Sequence, residues 1–90
     1  MTNKWTEKSI FLSFLVYKGI KEPEDFLDRV DELGQDWHDK ASSLLAKVMN
    51  FDQFVRKGES HLCKRGKQVC RLYADVPDAT LLAVWSAFYR

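Results

Sequence analysis

The spacing of the apolar residues constrains this chain most: five stretches repeat at three- and four-residue intervals, and none alternates cleanly with a period of two. Such spacing gathers apolar side chains on one face of a helix. The expected fold is therefore all-α, a compact bundle of about five helices forming a single domain over residues 1–90. A domain usually holds about 100 to 200 residues, so 90 leave no room for a second core.

Local signals divide the stretches. Thr6 is a candidate N-cap for the first, Ile10, Phe11, Phe14, Leu15 and Tyr17 carry its repeat, and Gly19 before Ile20 reads as a C-terminal glycine with its hydrophobic follower. A strand over Ile10 to Tyr17 is the competing reading. Pro23 suits the first turn of the second helix, where Phe26, Leu27, Val30 and Leu33 share a face and Gly34 is the stop. In the third, Asp36 is the cap and Trp37, Ala41, Leu44, Leu45 and Val48 form one stripe. Phe51, Phe54 and Val55 extend that stripe to Gly58, unless Asn50 or Asp52 breaks it.

Ser60 is the expected cap of the fourth helix, with Leu62, Gly66, Val69, Cys70 and Tyr73 inward. Glycine inside a helix costs about 1 kcal/mol against alanine, tolerable at Gly66 if a neighbouring helix packs close. Pro77 and Asp78 open a last helix, Ala79 to Tyr89. Trp37, Leu44, Val48, Phe14, Leu27, Val30, Val69 and Tyr73 are the expected core.

The formal net charge of +1 conceals a division. Residues 1–55 carry seven bases and ten acids, net −3, whereas residues 56–90 carry seven bases and three acids, net +4. The acids gather on the second helix as Glu24, Asp25, Asp28, Asp31 and Glu32, with Arg29 the sole base. Arg56, Lys57, Lys64, Arg65, Lys67 and Arg71 face only Glu59 within residues 56–71. On a helix, Lys64, Lys67 and Arg71 align opposite Leu62, Val69 and Tyr73. A ridge of this kind suits phosphate contacts, with Gln68 placed to read a base edge. Helix, Gly58-Glu59-Ser60, helix also suits a helix-turn-helix unit, although Phe54, Lys57 and Lys64 depart from that motif's preferred residue types. A solvated exterior, or a ridge paired with the acidic helix of the same or a second copy, explains the same charges.

The last helix carries Leu81, Leu82, Val84, Trp85, Phe88 and Tyr89 with no charge before Arg90. Apolar nearly all round, it is either the centre of the bundle or partly covered by a partner, with Trp85, Phe88 and Tyr89 the anchors.

Two cysteines do not make a disulfide framework. No signal-peptide pattern precedes Ile10 to Tyr17, a run well short of the roughly 20 apolar residues a membrane helix needs. A cytoplasmic protein is expected, without membrane association. His38, His61, Cys63 and Cys70 are the one candidate ligand set for zinc, yet seven residues separate the two cysteines, about 10.5 Å along a helix, so neither shared zinc nor an intrahelical disulfide fits. His61 and Cys63 face apart on a helix, and no phosphate loop or GxSxG or HExxH motif occurs. No metal, cofactor, small-molecule substrate or catalytic constellation is expected.

These residues imply a non-enzymatic regulatory or accessory protein. The first expectation is a dimeric DNA-associating domain using Arg56, Lys57, Lys64, Arg65, Lys67, Gln68 and Arg71. The second is a protein-binding modulator or inhibitor acting through Glu24, Asp28, Asp31 and Glu32 of helix 23–33, or Trp85, Phe88 and Tyr89 of helix 79–89. An acidic helix can imitate the charge of a nucleic-acid backbone.

Overall fold

The computed structural model describes residues 5–32, 40–58 and 62–89, and of residues 29–32 only the backbone. Its helices are α1 (Glu7–Tyr17), α2 (Pro23–Glu32), α3 (Lys40–Lys57), α4 (Lys64–Tyr73) and α5 (Asp78–Val84), the last continuing into a π-helical turn, Trp85–Tyr89. No strand occurs among the described residues. The expected small all-α bundle is the fold observed, and the strand alternative for Ile10 to Tyr17 is overturned.

Capping chemistry fixes the first helix at both ends. Thr6 Oγ1 accepts from the Ser9 N–H at 3.1 Å while Ser9 Oγ accepts from the Thr6 N–H at 2.8 Å, closing a reciprocal capping box. At the other end Gly19 adopts φ +78°. Its N–H meets the Val16 carbonyl at 3.0 Å and the Ile20 N–H meets the Leu15 carbonyl at 2.9 Å, the paired bonds of a Schellman motif. α3 runs unbroken through Asn50 and Asp52 and stops at Gly58, whose φ is +79°. Asp52 stays helical with Arg56 one turn on, 3.2 Å away.

The central helix is α1, not the last one. Every residue from Ser9 to Leu15 is buried, and α1 packs on α2, α3, α4 and the π-turn. The sequence permits this because no charge intervenes between Lys8 and Lys18. Its two buried serines bond to their own helix, Ser13 Oγ donating to the Ile10 carbonyl at 2.7 Å and Ser9 Oγ to the Thr6 carbonyl at 3.1 Å. Such internal bonding avoids the cost of a buried unpaired hydroxyl.

Aromatic rings join the surrounding elements to α1. Phe14 meets Phe51 of α3 edge-on at 5.3 Å, and Phe11 meets Tyr73 of α4 edge-on at 5.2 Å and Tyr89 in a stack at 5.0 Å. Phe11, Phe14, Phe26 and Phe51 are fully enclosed, and burying each ring contributes about 1.5–3 kcal/mol. Leu44 and Val69 are buried as expected, with Val48, Leu27 and Tyr73 packed at the core's edge. Trp37 and the Val30 side chain lie outside the described residues, as do Gly34 and Asp36.

α2 and α4 each pack against α1 and α3. The acidic and basic helices thus occupy separate flanks of a common α1–α3 pair.

Candidate nucleic-acid interface

α4 begins later than its sequence suggests. Ser60 lies outside the described residues, and the observed N-cap is Cys63, whose Sγ accepts from the Gly66 N–H at 3.4 Å. Leu62 is buried but precedes the helix. Among the described residues α3 ends at Lys57 and α4 begins at Lys64; the expected Glu59-Ser60 turn lies outside them. Gly66 is buried and close-packed, its nearest neighbour being the side chain of Leu62. A Cβ there would lie 2.8 Å from Leu62 Cγ and Cδ1.

Gly66, Val69 and Cys70 anchor α4 inward, with Tyr73 half-buried beside them. Lys64, Gln68 and Arg71 are exposed and Lys67 is half-buried, all on the outward side. Lys64 to Arg71 spans about 10.5 Å of helix axis. Among the described residues no carboxylate pairs with Lys64 or Lys67. The Arg71 guanidinium lies 5.7 Å from the Phe54 ring centroid, a cation–π contact that steadies it while leaving it exposed.

The flanking bases divide. Arg56 is engaged by Asp52 at 3.2 Å and Arg65 lies 3.6 Å from Glu7, while Lys57 is exposed at the end of α3. Glu24 and Asp28 are exposed on α2 and make no ion pair with the α4 bases among the described residues. The Asp31 and Glu32 side chains are outside the described set.

The aromatic anchors separate. Trp85 is buried against Phe11, its ring near-parallel to that of Phe11 at 6.3 Å. Tyr89 is half-buried, and its hydroxyl donates to Glu7 Oε1 at 3.3 Å. Burial and then the Glu7 carboxylate push the Tyr89 phenol above its usual range. Only Phe88, 77% exposed, is presented outward. Trp85 and Tyr89 thus pack into this chain's own core.

An apolar groove of about 290 Å³ lies between α1 and α3, lined by Tyr17, Val48, Met49, Asp52 and Gln53. Burial, reinforced by Asp52, raises the Tyr17 phenol. Among the described residues no three His, Cys, Asp or Glu side chains cluster as metal ligands, and no helix is long and apolar enough to cross a membrane. His38 and His61 lie outside the described residues. Cys70 is buried, which pushes its thiol up to about 11, whereas Cys63 is exposed.

One cluster escaped sequence reasoning. Lys47 is 8% exposed, its Nζ 4.4 Å from the Trp5 ring centroid and 3.7 Å from Cys63 Sγ. Its position was the available signal: Lys47 falls three residues after Leu44 and four before Phe51, inside the buried stripe.

Compared with protein-family models, curated proteins and solved structures, the chain has no match.

Proposed function

We propose that this domain works by binding and not by catalysis, and that α4 associates with duplex DNA through its outward ridge. The observation carrying this reading is the pair Lys64 and Lys67, free of described carboxylates beside Arg71 on an anchored helix. Free cations release counterions from a phosphate backbone, whereas cations already paired first have to give up a partner. Lys64, Lys67 and Arg71 contact phosphates in this reading, Gln68 reaches a base edge, and Lys57 with Arg56 and Arg65 flanks them.

Fluorescence anisotropy with a labelled duplex tests it. Association at ~50 mM salt is expected to weaken with a log–log slope of about −3, roughly −0.9 per phosphate neutralised. Removing Lys64, Lys67 or Arg71 reduces that slope by about one each. Absence of binding at ~50 mM salt by the folded chain refutes the reading.

Phe88 favours a second reading, a protein-binding modulator. A large ring exposed beside an otherwise core-directed Trp85 and Tyr89 is a suitable anchor for a protein partner, including a second copy. Sedimentation of wild type and Phe88→Ala tests self-association. A monomer in both rules out the dimeric form.

A further inference from the structure

We propose that Cys63 is a modification site, forming mixed disulfides selectively with small anionic disulfides. The inference is independent of DNA binding. Cys63 stands exposed at the start of α4, with its sulfur accepting from the Gly66 N–H at 3.4 Å. A thiol at a helix terminus would be unremarkable by itself, but a second observation points to an anion: Lys47. More than nine-tenths of that residue is buried, its Nζ is directed at the same sulfur from 3.7 Å, and no carboxylate pairs with it among the described residues. The Trp5 ring, 4.4 Å away, holds the ammonium in place without neutralising it.

A buried ammonium calls for a counter-charge. Negative charge gathers at this sulfur during thiol–disulfide exchange, and an incoming anionic disulfide brings more. The exposed Lys64, next in the chain, adds cationic character to the approach, whereas Arg65 is engaged by Glu7. Cys63 gives up its proton, its sulfur attacks one sulfur of the disulfide, a new S–S bond forms and the old one breaks. The departing sulfur leaves as a thiolate that takes up a proton. Cys63 sulfur is oxidised, the departing sulfur is reduced, and the disulfide is the only oxidant consumed. Cys70 is an internal control, being buried in the same helix with its thiol pushed up to about 11.

The test uses the whole chain and two disulfides of opposite charge, 5,5′-dithiobis(2-nitrobenzoate) and cystamine, with peptide mass analysis locating the adduct. The anionic-to-cationic rate ratio at Cys63 in folded protein is expected to exceed that of the same chain in urea by about tenfold, because the Lys47 charge attracts one reagent and repels the other. Lys47→Met removes the charge at similar volume and brings the ratio down to the unfolded value, while Lys47→Arg retains it. Equal ratios for the folded and unfolded wild-type chain overturn the proposal, and this comparison stands even if a variant fails to fold. Modification at Cys70 in place of Cys63, or an unchanged ratio in folded Lys47→Met, overturns it as well.

Discussion

Gly66→Ala is the substitution whose sign depends on local packing. In an open helix interior, alanine is better than glycine by about 1 kcal/mol, so helix propensity alone predicts stabilisation. At Gly66 the new Cβ would lie 2.8 Å from Leu62 Cγ and Cδ1 and 3.4 Å from Cδ2. Carbon atoms rest at about 3.5–4.0 Å, so Leu62 has to move. It is 4% exposed, and swinging it into water forfeits a burial contribution of about 1.5–3 kcal/mol. Overpacking of this kind costs about 1–3 kcal/mol, leaving a net destabilisation of about 1 kcal/mol after the propensity gain. In a domain of this size that lowers Tm by about 4–8 °C. The informative assay is urea unfolding of wild type, Gly66→Ala, Leu62→Ala and the double variant. Leu62→Ala alone costs about 2–5 kcal/mol, but with the isobutyl group gone alanine at position 66 regains its advantage of about 1 kcal/mol. The effect of Gly66→Ala therefore changes sign with the residue at position 62, a coupling of about 2 kcal/mol. Stabilisation by about 1 kcal/mol in both backgrounds would refute the close-packing argument.

Phe11 and Phe88 should respond oppositely to truncation. Phe11→Ala removes a fully buried ring packed on Tyr73, Trp85 and Tyr89, with an expected cost of about 3–5 kcal/mol. Phe88→Ala should stay within about 0.5 kcal/mol of wild type; a comparable loss in urea unfolding at both positions contradicts the burial assignment. Cys70 predicts an alkaline transition, because burial raises its thiol from 9.0 to about 11. The folded state holds this proton more tightly than the unfolded chain, so the contribution is complete below about pH 9 and lost as pH rises through about 11. Cys70→Val should flatten that part of the Tm profile, and superimposable pH dependences over this interval would rule the assignment out. Glu7→Gln should lower the Tyr89 titration, since Glu7 contributes to its upward shift; an unchanged ultraviolet phenolate titration contradicts that contribution.

Much of the fold was legible because short-range signals agreed. The Thr6 cap, the Gly19 and Gly58 stops and the inward set of Gly66, Val69 and Cys70 follow from local chemistry. Long-range arrangement was less accessible. Both the first and last helices are rich in apolar residues, and choosing which lies at the centre requires knowing that four elements pack around α1. Both have an uncharged interval, between Lys8 and Lys18 and between Asp78 and Arg90, so charge did not separate them; Ser9 and Ser13 are compatible with the centre because their hydroxyls bond to nearby carbonyls. The Cys63 cap replaced the expected Ser60 cap because the helix starts at Lys64. On the candidate interface, periodicity placed Lys64, Gln68 and Arg71 outward, but could not identify Glu7, far away in sequence, as the partner of Arg65.

The separation of α2 and α4 gives the near-neutral total a physical meaning. The molecule extends 32 × 29 × 19 Å, whereas the Debye length is about 8 Å at ~0.15 M salt. At that ionic strength the acidic flank has little influence on an anion approaching the basic flank, so such an anion meets the local charge of α4 and not the net +1. At ~0.01 M salt the Debye length reaches about 30 Å, comparable with the whole domain, and α2 then opposes the approach. Charge neutralisation by Glu24→Gln and Asp28→Asn should therefore strengthen DNA association at ~0.01 M salt and leave it nearly unchanged at ~0.15 M. Lys64→Gln and Lys67→Gln should weaken it at both. An equal effect of the α2 changes at the two salt concentrations would mean that α2 touches the DNA itself, and would refute a contact surface confined to the basic flank.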